Sequence, residues 1–444
     1  MRNWGGDIVS HPKVATHPRN VDDIVAIMKD PETYPSPVRG IGSGHSTTRC
    51  GVADNGTVVY TGRMNRIIEV GPDYVTAEAG ALYIDVSKEL QRHGLQFYVN
   101  LEIGNLTIGS ACCGGTKDAS MPGEFGQVCS YASVIKMVAP SGELLEFTED
   151  DPELLQIMRS SYGLLGIVYE ATFKVRPFQP MAVHHTTYSL NEFERQLPSL
   201  ITRGESMMLY IFPFQNAVTV EYRRYHDAQS SPNHRAWRIR NLVWRTVAPA
   251  LGYVLTRFIP IRPIRYFLIN AFNRVMQLSL RMIVNSQYTI ANEQTIRYPA
   301  KAGMTKYTFS IWAFPEDSYI SVLRAYFEFC RRYYREHGYR CDLLSVGYRV
   351  SEDTSSLFSY SFKGNVMTVD PISTGASGWD DFLKAYNDFC SKNGGVPLFN
   401  QTKWITPDQA KKAFGDRLEK FSGYRQQYDP DNRLLNEYFE QILA

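Results

Sequence analysis

The stretch Val38-Arg39-Gly40-Ile41-Gly42-Ser43-Gly44-His45-Ser46 constrains this chain more than any other. Three glycines on alternate positions run straight into a histidine and a serine. Glycine reaches positive φ without a Cβ clash and leaves its N–H groups exposed, so such a backbone curls around an anion. An imidazole at the end of the curl is a nucleophile, an acid–base group or a point of covalent attachment. The segment reads as a loop that grips a diphosphate-bearing cofactor and turns His45 toward its reactive end. A plain glycine-rich turn is the other reading of the same residues. The spacing excludes the dinucleotide-binding fingerprint, which wants a third glycine three residues after the second, opening a helix. Here position 45 is histidine, and Thr47-Thr48-Arg49-Cys50-Gly51 does not read as a helix start.

A chain of 444 residues is too long for one core, and two or three domains are expected. Its 44% apolar and 21% charged content is that of a soluble globular protein, and a net charge of +2 selects no polyanionic partner. Seven cysteines, with Cys112 and Cys113 adjacent, show no CxxC pair and no Cys/His ligand spacing. No metal site is expected, and reduced thiols in the cytoplasm are the simplest account. Residues Met1 to Asp7 carry no apolar signal core, and no apolar run approaches a membrane span.

Residues 14 to 41 predict strand, helix, strand, with Asn20 capping a helix whose Val21, Ile24, Val25 and Met28 share a face. Short strands are expected at Thr57–Thr61, Ile67–Val70 and Val75–Glu78. A helix carrying Leu82, Val86 and Leu90 then stops at Gly94. Asp151-Pro152 opens another helix, and Ile167–Arg176 reads as a strand ending at Pro177. The pattern is α+β and closes a first domain at 1–178.

A second domain is expected over 179–400, with aromatic-rich strands such as Met207–Phe212 and a basic amphipathic tract at 232–285. Between Asp227 and Glu293 there is no acidic residue but nine arginines, interleaved with Trp237, Trp244, Tyr253, Phe258, Tyr266, Phe267 and Phe272. Arginine-rich amphipathic helices suit an anionic membrane surface. Packed helices with solvated arginine faces are the alternative. No recognition module accompanies the charge, so nucleic acid is not an expected partner. Residues 401–444 read as two helices, one opened by Thr406-Pro407 and one ended by Asp429-Pro430, before a closing apolar segment.

Val38–Ser46 resembles the flavin loop of the vanillyl-alcohol-oxidase-type (PCMH) FAD-binding family, nearest its aldonolactone and alditol oxidase branch. The likeness continues through Asn105–Thr116, Gly123-Glu124-Phe125-Gly126, Met137–Glu143 and Ser161–Val168, and resumes at Phe421–Asn436. Asn365–Asp370 and Gln401-Thr402-Lys403 are similar to the decaprenylphosphoryl-ribose oxidase branch. The resemblance implies a two-domain PCMH-type FAD-binding fold with an inserted α+β substrate (cap) domain, to which 401–444 returns. Three elements depart from the family pattern. Gly347-Tyr348-Arg349 keeps the arginine of a Glu-x-Arg pair without its glutamate. Lys117 stands for a histidine, and Thr402-Lys403-Trp404 replaces a His-Trp-x-Lys element.

The resemblance implies FAD, joined by an 8α-histidyl bond through His45. Its expected contacts are Arg39, Gly40, Ile41, Gly42, Ser43, Gly44, His45, Ser46, Thr107, Gly109, Ser110, Cys112, Cys113, Gly115, Thr116 and Ile167. The implied reaction is oxidation of a CH–OH group of a sugar, lactone or alditol by hydride transfer to flavin N5, with oxygen or another electron acceptor. Lys403, Arg349 and Tyr348 are the expected catalytic residues, and Lys117, Asn365 and Met367 the expected substrate contacts. The alternatives are an amphiphilic, lipid-linked alcohol oxidised at the membrane surface, and a flavin-binding protein without turnover. The expected location is cytoplasmic, with peripheral membrane contact in the first alternative.

Overall fold

The computed structural model describes residues 1–226, 234–284, 289–290 and 294–443, so the outer positions 232, 233 and 285 of the arginine-rich tract lie outside the described residues. Among the described residues the strands form three sheets. The smallest is parallel, with Thr57–Tyr60 between Val14–Thr16 and Val38–Ile41. Asn20 caps the intervening helix Val21–Lys29 by accepting the Asp23 N–H at 2.9 Å. Ile24, Ile27 and Met28 of that helix pack with Val38, Val59, Val138 and Ile167. The helix therefore lies between the parallel sheet and a second, antiparallel one.

This second sheet is centred on the long strand Ile167–Pro177, flanked by Tyr74–Glu78 and Ala132–Val138. Its core includes Phe97, Phe147 and Phe173 together with Phe399, Phe414, Phe421 and Phe439. The end of the chain thus shares a core with its beginning. Three helices, Pro407–Phe414, Asp416–Tyr428 and Glu437–Leu443, form that end. Arg433 closes the return by donating to the carbonyls of Ile27, Met28 and Tyr34, satisfying orphan acceptors of the Val21–Lys29 helix. Leu357 and Phe358 join the same core from far upstream.

The third sheet draws its strands from residues 181 to 397 and is antiparallel throughout. Every residue of its strand Ser206–Phe212 is buried. Alternation explains why: Met207, Leu209 and Ile211 meet the helices Leu190–Thr202, Tyr319–His337 and Trp379–Lys392. Met208, Tyr210 and Phe212 face the opposite way, toward Ala119, Trp244 and Leu280. With both faces covered, the run reads as continuous rather than alternating hydrophobicity. The arginine-rich tract is helical: His234–Leu242 runs through a π-helical turn, Val243–Val247, into Ala248–Phe258, and Arg262–Ile283 folds back beside it.

Candidate active site

The strand Val38–Ile41 delivers the glycine loop to the rim of a cleft of about 1290 Å³ between the parallel sheet, the strand Ile167–Pro177 and the segment Asn105–Thr116. Backbone approach there is very close. A Cβ on Gly42 would lie 2.2 Å from Thr107 Oγ1, and Gly44 has φ +69°. Only glycine gives both the contact and the dihedral without strain. Within the segment Asn105–Thr116, Ile108–Cys113 makes a short helix, and Arg49–Gly51 forms a single 3-10 turn capped by Thr48.

The N-terminal residues hold His45 in place. Trp4 stacks on its ring with centroids 5.1 Å apart, and the Tyr298 ring meets it edge-on at 6.2 Å. The Trp4 N–H donates to Gly44 O at 2.8 Å, and the Asn3 side-chain amide to Ser46 O at 3.0 Å. No described residue hydrogen-bonds the imidazole nitrogens. Burial without a partner lowers the His45 pKa to about 4, so the ring is neutral at neutral pH and a nitrogen lone pair is available.

A second cavity, of about 1080 Å³, opens between the two halves of the protein. Ile103, Thr116 and Gln401 line both spaces, so the two meet there. Beside that junction Lys117 Nζ donates to Asp370 Oδ2 at 2.9 Å and lies 3.6 Å from the centre of the Tyr348 ring. Thr368 also donates to Asp370 Oδ2, while buried Oδ1 has no partner. Burial raises the Asp370 pKa to about 6 against the pull of Lys117, and burial lowers that of Lys117 against the pull of Asp370. Asp370 lines this cavity, and its carboxylate oxygen without a donor is an unused acceptor. Elsewhere the wall is mostly apolar, with Leu101, Met208, Trp244, Phe272, Met276 and Phe309 among its residues. Glu102, also on the wall, is held by Arg240 and Tyr298, each at 3.0 Å.

The residues expected from the sequence fall into two sets. Arg39 to Ser46, Thr107, Gly109, Ser110, Cys113, Thr116 and Ile167 line the first cleft, whereas Cys112 and Gly115 do not. Cys112 turns its thiol back to Gly109 O, and Gly115 is covered by Tyr162 and Asn400. Arg39 spends its guanidinium on the carbonyls of Cys50, Tyr162, Gly163 and Leu434, fixing the walls rather than reaching into the space.

Tyr348 and Lys117 line the second cavity; Lys403, Arg349, Asn365 and Met367 do not. Lys403 pairs with Asp380 at 2.8 Å and Asp7 at 3.2 Å. Arg349 pairs with Glu316. Met367 is fully buried beneath the helices, and Asn365 sits exposed at the strand start, accepting the Glu352 N–H. Strand phase accounts for two of these: Arg349 and Met367 are register partners on the helix-covered face, while Tyr348 and Asp370 point the other way. Sequence reasoning missed Asp370, Gln401, Asn3, Trp4 and Asn400. Asp370 and Gln401 stood inside quoted motifs; polar character beside apolar strand residues was the available signal for Asp370, whereas Gln401 lies in a turn and carried none. Asn400 lines the first cleft, and its buried Oδ1, on the side of Gly115, has no partner either.

Residues 12–148 match the family described as FAD binding domain, and residues 171–442 the family described as D-arabinono-1,4-lactone oxidase. The chain is similar to L-gulonolactone oxidase of Bos taurus, 22% identical over 455 residues and covering 100% of this chain and 98% of that one. It is also similar to L-gulono-1,4-lactone dehydrogenase of Mycobacterium tuberculosis, 19% identical over 444 residues with the same coverage. Among solved structures, cholesterol oxidase from B. sterolicum superposes with a TM-score of 0.76 at 14% identity, over 100% of this chain and 96% of that chain. That likeness speaks to the fold.

Proposed function

The chain belongs to the D-arabinono-1,4-lactone oxidase family, and from that premise we propose that it oxidises a ring or chain CH–OH group at the junction of the two cavities, using Asp370 as the base. FAD, when bound, supplies the two-electron acceptor. The first cleft fits such a group: beyond the paired strand, Gly42 and Gly44 let the backbone of residues 42 to 46 turn along the wall with its N–H groups toward a diphosphate, and the lining residue Asn400 keeps an unused acceptor in Oδ1. Neutral His45 at the rim carries the lone pair that an 8α-histidyl bond requires.

The chain's residues divide the remaining work. Asp370 Oδ1 accepts the substrate hydroxyl and takes its proton as the carbinol C–H hydride leaves, so the product is the carbonyl compound. Lys117 keeps Asp370 ionised, and the Tyr348 ring faces the Lys117 ammonium across the cavity wall. The electrons pass on to oxygen or another acceptor. Oxidase and dehydrogenase names among the relatives favour turnover over a flavin carrier without it.

The observation that carries this reading is the unpartnered Oδ1 of Asp370, a residue that lines the second cavity together with Thr116 and Gln401. Its test is anaerobic mixing of the yellow protein with sugars, lactones, alditols and longer alcohols, followed by air. A member of the panel bleaches the flavin, and an acceptor restores the colour. A protein that takes up no FAD, or a flavin that no alcohol reduces, ends the proposal. A second substrate reading has one observation in its favour. The wall away from Asp370 is apolar, which suits an amphiphilic alcohol, met at a membrane surface, better than a bare sugar ring.

A further inference from the structure

The helix Arg262–Ile283 is apolar on both sides: it buries Ile269, Met276 and Leu280 and yet exposes a second apolar face. Its solvent face carries Ile264, Phe267, Val275, Leu278 and Met282, with Phe267 70% and Met282 77% exposed. Its opposite face supplies Phe272 and Met276 to the wall of the second cavity. Twelve of the seventeen exposed large hydrophobic side chains among the described residues fall between Ile239 and Met282. At about 1.5 Å per residue this helix presents an apolar strip on the order of 30 Å long, and an apolar surface of that extent marks an interaction site.

Charge identifies the occupant. Arg235, Arg238, Arg274 and Arg281 are exposed on the same helices, and the sequence has no acidic residue between Asp227 and Glu293. Among the described residues, only Arg240 of the nine arginines pairs with a carboxylate, and it points inward to Glu102. A second copy of the chain meeting this face would set arginines against arginines. A bilayer with anionic headgroups compensates the arginines while Phe267, Leu278 and Met282 enter the acyl boundary. No described helix is long and apolar enough to cross a membrane, so the helices lie in the plane of one leaflet.

We propose that the helices between His234 and Ile283 dock on an anionic bilayer, and that their inner face receives the apolar part of the substrate from it. The second clause rests on the reading of the cavity as the substrate site. Docking places the lipid-facing side and the cavity-facing side of one helix a single helix diameter apart, about 10 Å.

The flavin-loaded enzyme is pelleted with phosphatidylcholine vesicles with and without about one-quarter phosphatidylglycerol. It binds those containing phosphatidylglycerol and is released as salt is raised. Arg274→Gln with Arg281→Gln weakens binding about 30-fold, and Phe267→Ser with Met282→Ser at least about tenfold. All variants reduce their flavin with a short water-soluble alcohol at the parent rate, while turnover of a long-chain alcohol held in the vesicles falls in step with binding. Absence of pelleting, or equal pelleting of every variant, overturns the proposal. So does a doubled mass in solution that Phe267→Ser abolishes, which assigns the face to a second copy. Failure of every alcohol to reduce the parent flavin refutes the catalytic reading and leaves the vesicle result to be judged by itself.

Discussion

Lys117 Nζ lies 2.9 Å from Asp370 Oδ2, with each side chain 2% exposed and a separation of 253 positions along the chain. Burying both charges costs several kcal/mol per ion, and their attraction at best offsets it. A hydrophobic pair of equal volume would serve stability as well. The pair instead leaves one carboxylate oxygen without a donor on a residue that lines the second cavity. That arrangement suits a proton acceptor.

Replacing Asp370 by Asn is expected to lower kcat/KM by about 10² to 10⁴, the usual worth of a positioned base, with the flavin spectrum retained. Since Asn leaves Lys117 buried without a counter-charge, the double variant Asp370→Asn, Lys117→Met separates lost chemistry from lost stability. The parent profile of kcat/KM against pH should rise through about pH 6, where Asp370 ionises, and the rise should vanish in Asp370→Asn. The linkage has a definite sign. With its folded pKa above the ordinary 3.8, Asp370 holds more protons folded than unfolded between those values, so its contribution to stability falls as pH climbs from about 4 to 6. A flat profile for the parent enzyme removes Asp370 from the mechanism.

Gly42→Ala should abolish flavin loading. The added methyl would sit 2.2 Å from Thr107 Oγ1 and 2.8 Å from its Cγ2, and overpacking of that kind typically costs about 1–3 kcal/mol. Thr107→Ala in the same chain removes both opposing atoms and should restore part of the flavin content. Flavin-to-protein absorbance ratios read the outcome directly. Loading of Gly42→Ala at the parent level would mean that the loop does not hold the cofactor.

How far the sequence reaches follows from where the information sits. Gly40, Gly42, Gly44 and His45 are chain neighbours, so their chemistry is visible in a string of letters. Trp4 and Tyr298, which flank His45, arrive from the start of the chain and from its second domain and carry no local mark. Along Ser345–Val350 and Val366–Ser373 both faces are covered, so burial does not mark the cavity side, and only the alternation of polar Thr368 and Asp370 with Met367 and Val369 hints at it. Met367 stands one residue from Thr368 and three from Asp370, and in a strand any odd offset reverses the face. The arginine tract poses the same difficulty. Arg238 is exposed and Arg240 is buried against Glu102, a distinction that only helix packing makes.

Lys403→Met should leave turnover within about twofold of the parent and lower thermal stability instead. Lys403 ties Asp7 at the chain's start to Asp380 on the helix Trp379–Lys392. Both carboxylates are partly solvated, so the loss should be nearer 1 kcal/mol than the several expected of a fully buried pair. Paired melting curves and initial rates check it. A hundredfold fall in kcat with unchanged Tm would return Lys403 to the active site.

His45→Ala tests the tether. After acid precipitation of the parent protein the yellow colour should stay with the pellet, and in the variant it should pass to the supernatant. Burial holds the ring neutral down to about pH 4, so bond formation during FAD loading should not slow between pH 8 and 5. Flavin released from the parent by acid would show that His45 is only a neighbour of the ring.

The apolar wall of the second cavity makes a quantitative claim about substrates. If Met208, Trp244, Phe272 and Met276 receive a hydrocarbon chain, each added methylene removes apolar surface from water and contributes about 0.8 kcal/mol. Along a series of primary hydroxyl compounds, kcat/KM should then climb about fourfold per methylene until the cavity is full. The gain should appear in KM, because the chain binds equally in ground and transition states. Met276→Asp, which puts a charge among those side chains, should flatten the series and spare the shortest member. A series already flat in the parent enzyme would confine the substrate to the polar corner formed by Lys117, Tyr348 and Asp370 and would favour a compact ring such as a sugar lactone.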